Sequence, residues 1–361
     1  MTVAVLGTGL IGGSIGLALT ARGEDVIGFD TDPDRADEAR RWGAVTRVAR
    51  SVEEAAADAS LVVVAVPVAG IGSTVAAALA AGTGVVTDVG SVKGSVVAEV
   101  ERRAGAAAAR FVPGHPMAGS EQSGLAGATP TLFEGATWVL TPTPRTGPEA
   151  HTRVRALVRG LGAEIVEVSP EHHDELVAVV SHVPQLAATT LMDVAATTGE
   201  EHAVLLHLAA GGFRDMTRIA ASDPGIWPDI CTANRDAILA ALDRYVAALR
   251  AVAGLVADDD AAGLRRLLER ARDARRNLPT SATLAGPLAE LRVPVPDRPG
   301  VLAEITTLAG RLGVNIADVE IAHTIEGSGG VLVLVCTVRG AETLAGALGE
   351  AGYHVHRRDL P

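Results

Sequence analysis

Six residues near the start of the chain, Gly7-Thr8-Gly9-Leu10-Ile11-Gly12, carry the sharpest chemical signal. They follow an apolar run, Val3 to Leu6, and precede a helical pattern. Gly7 permits a tight turn and Gly9 lets backbone approach a pyrophosphate. Gly12 allows close helix–strand packing, and the N-terminus of the following helix faces the anion. A second run ends at Asp30, 18 positions after Gly12, where a carboxylate can bond an adenosine ribose 2′-hydroxyl and repel a 2′-phosphate. Together these predict a dinucleotide site that prefers NAD to NADP. Leu10 and Ile11 lie in the same turn, and Val66 and Pro67 pass beside the cofactor at the carboxyl end of a later strand. The alternative is a glycine turn in some other α/β protein.

Two further strand ends point into the same crevice, Asp88-Val89-Gly90-Ser91-Val92-Lys93-Gly94 and Pro113-Gly114-His115-Pro116-Met117-Ala118-Gly119-Ser120-Glu121. A dehydrogenase needs a base for the hydroxyl proton, and His115 is the candidate. Its bland alternative is a structural histidine bonded to its own loop. Ser91 either shares the hydrogen bond to the reacting hydroxyl or caps a helix beginning near Gly94. Further along come His172-His173-Asp174-Glu175, Ser181-His182-Val183-Pro184-Gln185, the segment Gly211 to Ala220, Ser222-Asp223-Pro224 and Trp227. Histidine beside acid invites a metal, but no tight ligand set such as HExxH occurs and hydride transfer needs none, so no metal is expected. Arg214 and Arg218, spaced i, i+4 on one helical face, can fork a carboxylate or pair with Asp215 or Asp223.

The elements that must position these residues fall into three stretches. Residues 1–169 alternate β-branched runs with Ala-rich helical segments, the rhythm of βαβ units and a parallel sheet covered on both faces. The runs are Val3 to Leu6, Asp25 to Phe29, Leu61 to Val66, Gly84 to Thr87, Arg110 to Val112, Thr137 to Leu140 and Glu164 to Val168, with helices such as Ser14 to Arg22 and Ser95 to Arg103 between them. Residues 170–280 read as all helical, from His172 onward, through Glu201 to Ala210, Ile230 to Leu255 and Gly263 to Arg276. The arginines of Leu264 to Arg276 read as a solvated face. Asn277 to Pro287 is a linker. Residues 289–361 form a small module with strands at Glu290 to Val295 and Gly330 to Val338 and a helix at Val301 to Leu312.

The 361 residues are 48% apolar, enough for a core in each of two or three domains, which excludes disorder throughout. A formal charge of −12 without a basic block argues against nucleic acid and against an anionic membrane surface, so placed arginines must catch any anionic ligand. Two distant cysteines, Cys231 and Cys336, make neither a disulfide framework nor a thiolate zinc site and fit a reducing compartment. No run reaches about 18 uninterrupted apolar residues, and no basic n-region precedes the first apolar run, so the expectation is a soluble, cytoplasmic protein.

From Val3 to about Leu278 the chain resembles the prephenate dehydrogenase family, on GTGLIGGS, DVGSVKG, GHPMAGSE, HHDELVAVVSHVP and GGFRDMTRIAASDPGIW. The resemblance implies an α/β Rossmann domain followed by an all-α domain through which subunits form a homodimer, with the active site in the cleft between. It implies NAD-linked oxidative decarboxylation of prephenate to 4-hydroxyphenylpyruvate in tyrosine biosynthesis. It also implies that His115 and Ser91 meet the substrate's ring hydroxyl and that Arg218 clamps a carboxylate. Arg214, where many relatives carry lysine, would line the pocket, Trp227 would help close it, and His182 lies in the SHVP segment. Gln185 departs from the pattern, because many prephenate-specific relatives carry a second histidine there. An amide can accept from an ammonium as readily as donate to a carbonyl, which leaves arogenate open as the substrate.

The stretch from Val295 to Ile305, with Gly313-Val314-Asn315-Ile316, resembles the ACT domain, an α+β amino-acid-sensing unit of βαββαβ order. That resemblance implies pairing with another copy and an effector, expected to be tyrosine, near Asp297, Pro299, Gly300 and Asn315. A silent structural module is the alternative. Other readings of the whole chain are a hydroxy-acid dehydrogenase and a non-catalytic NAD- and amino-acid-sensing regulator. The phosphoglycerate type has its dinucleotide domain in mid-chain, and the 6-phosphogluconate type needs a helical-domain lysine, which residues 170–278 lack.

Overall fold

The computed structural model describes residues 1–119, 124–201, 208–277, 287–296, 298–323 and 329–360. Contacts group the chain into two units, Met1–Leu264 and Arg265–Pro361. The expected effector residue Asp297 lies outside the described residues, as do Ser120 and Glu121, most of the expected helix Glu201 to Ala210 and most of the expected linker.

Unit 1 opens with β1 (Thr2–Leu6), α1 (Leu10–Thr20), β2 (Asp25–Phe29), α2 (Pro33–Arg41), β3 (Arg47–Val48), α3 (Val52–Ala57), β4 (Leu61–Val64), α4 (Val68–Ala81), β5 (Val85–Asp88), α5 (Gly94–Ala104) and β6 (Phe111–Val112). The six strands form one parallel sheet in the order β3-β2-β1-β4-β5-β6. Successive strand residues point to opposite faces. Val3 and Val5 therefore join a core with Ile15, Leu19 and Val154, while Ala4 and Leu6 join one with Ile71, Val75 and Val97. Both faces are covered, as the β-branched runs require.

Several expected boundaries move. Helix α1 starts at Leu10 rather than Ser14, directly after Gly9. Strand β4 ends at Val64, because Pro67 already caps α4. Thr137–Leu140 and Glu164–Glu167 do not extend the parallel sheet. They form β8 and β9 of a second, three-stranded sheet with β7 (Gly114–Pro116), in the order β7-β8-β9, where β7 runs antiparallel to β8. Pro113, which has no N–H to continue the β6 ladder, marks the switch between sheets. Helix α6 (Pro148–Gly160) packs back on the first core.

Helical segments follow: α7 (Pro170–Val177), one π-helical turn (Ala178–His182), α8 (Val183–Glu201), α9 (Gly211–Thr217), α10 (Trp227–Ala233) and α11 (Arg235–Ala257). The Ser169 side chain caps α7 by accepting from His172 N at 3.2 Å. The expected single helix from Ile230 is broken at Asn234, whose φ and ψ of −115° and 31° lie outside the helical region. The run Pro170–Thr198 is long and apolar enough by length and composition to cross a membrane, with mean hydropathy 1.2. Its buried polar residues, however, find their partners within this fold.

Helix α12 (Ala261–Arg276) crosses the division between the units. Unit 2 then runs β10 (Leu288–Pro296), α13 (Val301–Arg311), β11 (Ile316–His323), β12 (Gly329–Thr337), α14 (Val338–Glu350) and β13 (His356–Asp359), which is the expected βαββαβ order. Its four-stranded antiparallel sheet, β11-β12-β10-β13, packs Leu291, Val293, Leu332 and Leu334 against Ile305, Leu344 and Leu348.

Candidate active site

The turn after β1 is shaped by missing side chains. Gly7 has φ +97°, and a Cβ there would lie 2.2 Å from the Ala65 carbonyl oxygen. A Cβ on Gly12 would lie 1.9 Å from the Gly7 oxygen, whereas one on Gly9 would meet nothing within 4 Å. Gly7 and Gly12 are thus consumed by packing, and Gly9 fronts open space at the start of α1. Asp30 closes the turn. One carboxylate oxygen accepts from Thr8 N at 2.9 Å and Thr8 Oγ1 at 3.1 Å, and the other accepts from Asp32 N at 3.1 Å. Leu10, Ile11 and Val66 are half-buried and Pro67 is exposed around the same turn. The cradle and its acidic partner fit a dinucleotide with free ribose hydroxyls.

A second cluster gathers where β5 ends and β7 begins. Buried Asp88 accepts from Gly90 N at 2.9 Å and Gly114 N at 3.1 Å, and it forms an ion pair with buried Lys93. The Lys93 ammonium also donates to Gly114 O at 2.7 Å. Burial pulls Lys93 below the usual lysine range, and the Asp88 carboxylate works against that shift. The loop carrying half-buried Ser91 is thereby stitched to the strand carrying His115. Ser91 does not cap α5, which has no side-chain cap at its own N-terminus. That role falls to Asp174, whose two carboxylate oxygens accept from Lys93 N and Gly94 N, each at 2.8 Å.

Asp174 also bonds its neighbour. His173 Nδ1 lies 2.8 Å from an Asp174 oxygen, and His173 Nε2 lies 2.9 Å from His115 Nδ1. Burial, then the Lys93 ammonium, push His115 well below the ordinary histidine value of 6.5, and a proton taken up by His173 or His182 would push it the same way. A neutral imidazole at pH 7 is what a proton acceptor requires.

A third group adjoins this one through Asn234, which donates to the Asp174 carbonyl at 2.9 Å and lies 3.3 Å from His182 Nδ1. His182 is buried and held at about 4, by burial against the opposing pull of Asp174. Its ring meets Trp227 edge-on at 6.2 Å. Trp227 Nε1 and Gln185 Nε2 both lie in reach of Ser222 Oγ, at 3.3 and 2.9 Å. Arg214 and Arg218 are exposed and do not share one regular helical face as expected. Helix α9 ends at Thr217, and Arg218 opens a 3₁₀ turn (Arg218–Ala221) that packs against α8.

In unit 2, Gly300 has φ +93° and caps α13, next to exposed Pro299, while Asn315 follows the same helix. The 11-residue helix between them is about 16 Å long. Sequence reasoning gave no role to Asp88, Lys93, His173, Asp174, Asn234 or Ser222. Asp88 and Lys93 lie in the DVGSVKG segment and Ser222 beside Asp223, but spacing alone assigns them no role, and the adjacent His173 and Asp174 read at most as a metal pair.

Family models match in succession. The prephenate dehydrogenase nucleotide-binding domain covers residues 15–167, the prephenate dehydrogenase dimerization domain 169–270 and the ACT domain 289–352. Prephenate dehydrogenase of Bacillus subtilis (strain 168) is 37% identical over 92% of this chain and 91% of its own length. The chain belongs to the prephenate dehydrogenase family. As a prephenate dehydrogenase family member it also matches solved folds. The Aquifex aeolicus prephenate dehydrogenase structure in complex with hydroxyphenyl propionate and NAD+ aligns with TM-score 0.72 and 30% identity, over 77% of this chain and 98% of that one. Synechocystis arogenate dehydrogenase aligns with TM-score 0.67 and 30% identity, over 76% and 99%.

Proposed function

We propose that the chain catalyses NAD-dependent oxidative decarboxylation of prephenate to 4-hydroxyphenylpyruvate. The observation that carries this reading is His115 in β7, stitched through Lys93 to the β5 loop, in a chain of this family whose β1 turn forms a glycine cradle. The glycine turn and Asp30 would hold NAD, which supplies the hydride acceptor when bound. His115 Nε2 takes the hydroxyl proton as hydride departs and returns it to the oxygen of the new phenol once the ring carboxylate has left as carbon dioxide. No net proton is consumed. Ser91 shares the hydroxyl, Arg218 clamps a carboxylate, Arg214 and His182 line the pocket, and Trp227 closes it. The chain's work is orientation and one reversible proton transfer, because aromatisation drives the rest.

Gln185 favours keeping arogenate as a second reading. Its amide can turn either its oxygen or its nitrogen toward a substrate side chain, and a solved relative is an arogenate dehydrogenase. Offering purified protein prephenate and arogenate in parallel, and following NAD reduction, tests both. Reduction with prephenate is expected, reduction with arogenate alone would rename the enzyme, and silence with both would return the chain to the regulator class.

The domain limits that go with this reading are 1–169 for NAD, 170–280 for substrate and dimerisation, and 289–361 for regulation. The setting is a cytoplasmic homodimer. Exposed Val194, Leu239, Leu249 and Val256 on α8 and α11 supply apolar surface for self-association. Tyrosine is the proposed effector. Asn315→Ala should weaken tyrosine inhibition.

A further inference from the structure

The geometry points to His173 and Asp174 as positioning residues that fix the ring tautomer of His115 and leave its Nε2 as the bare, proton-accepting nitrogen. This rests on the proposed role of His115 as base. The tautomers follow from one end of the chain of bonds. An ionised carboxylate only accepts, so the His173 nitrogen 2.8 Å from Asp174, Nδ1, carries the proton. In a neutral ring the other nitrogen, Nε2, then offers its lone pair. Its partner at 2.9 Å is His115 Nδ1, which must be the donor. That spends the one ring proton of neutral His115 on the protein side and leaves Nε2 bare.

Asp174 is suited to anchor this relay, because it is itself held. It is buried, and its two oxygens accept from Lys93 N and Gly94 N as well as from His173. The same carboxylate thus sets the loop that carries Ser91 and the ring that orients His115. His173 is 1% exposed, and each of its two ring nitrogens has one of these partners. Among the described residues, the charged and titratable groups facing His115 are Lys93 with Asp88 behind it, His173 with Asp174, and His182. Asp174 does not touch substrate in this arrangement. When His115 takes up the hydroxyl proton, its Nδ1–H bond to His173 strengthens, and the carboxylate two bonds away balances the new charge.

The test uses the full chain and NAD reduction with prephenate or arogenate, whichever wild type turns over, across pH 5 to 9. His173→Phe removes the acceptor. It should lower kcat about 10- to 100-fold with KM changed less than about threefold, and move the acid limb of kcat/KM to lower pH by about half a unit or more. His173→Gln, whose amide oxygen can accept from His115 Nδ1, should recover part of kcat. An unmoved limb would make His173 a spacer and overturn the proposal. A limb moved upward would mean that His173 carries a second proton at rest, which overturns the assigned tautomer. Should His173→Phe fail to fold, the ¹⁵N ring shifts of His115 in wild type decide instead: Nδ1 protonated and Nε2 bare is expected, and the reverse sinks the relay. Those shifts need no turnover, so they judge the relay even if wild type reduces NAD with neither substrate.

Discussion

The glycine turn after β1 and the histidine–carboxylate cluster beside β7 solve opposite problems. The turn makes room. Two of its glycines allow backbone to touch backbone, the third leaves a gap, and its single carboxylate bonds a residue of the turn itself. The cluster fills room with charge. Asp88, Lys93, His173 and Asp174 are all buried, are joined by bonds that span up to 81 residues, and each has a polar partner. A site built from absence tolerates no addition, whereas a site built from buried polar groups tolerates no subtraction, because a lost partner strands another in low dielectric.

That contrast can be broken in order of effect. His115→Asn should reduce kcat by about 10²–10⁴ with NAD affinity and melting temperature nearly unchanged; steady-state kinetics with both substrates checks this, and near wild-type turnover removes His115 from its role. Gly7→Ala should cost stability, since the left-handed backbone alone is worth about 1–3 kcal/mol before the clash with Ala65 is counted. Thermal melting should show a drop of several degrees, and a wild-type melt would mean that the turn is less confined than described. Gly9→Ala should do the reverse, leaving the melt alone while weakening NAD about tenfold by filling the gap where a pyrophosphate would sit. A titration showing equal affinity would refute that division of labour among the glycines.

The smallest effect is on acid stability. His182 titrates near 6.5 when unfolded and near 4 when folded, so below pH 6.5 the unfolded chain binds the proton first. Stability should therefore fall as pH drops from 6.5 toward 4, with His115 adding in the same direction. His182→Gln should flatten that slope by a few degrees of melting temperature, and a slope equal to that of wild type would show that another group sets it.

The same contrast explains what could be read in advance. The turn and Asp30 lie within about 20 residues of each other, and each strand of the parallel sheet is marked by its own run of residues, so spacing and run composition reveal them. The second sheet depends on β7 leaving the first at Pro113, which one proline in a loop does not announce. Asp174 capping α5 from 80 positions downstream, and Asn234 joining Asp174 to His182, follow from packing that no local pattern encodes. Flanking glycine and proline make His115 legible, whereas the histidine behind it reads from sequence as half of a metal pair. The i, i+4 spacing of Arg214 and Arg218 suggests one helical face, and nothing in GGFRDMTRIAAS marks the stop at Thr217.

The π-helical turn at Ala178–His182 has a mechanical consequence. Helix α7 ahead of it is locked to the nucleotide-side loops through Asp174, while α8 behind it packs with Ile238 and Ala241 of α11. One residue too many per turn at that junction means weaker axial bonding between two well-anchored bodies. Removing that extra residue would rotate α8 by about 100° against α7 and carry His182 away from Asn234.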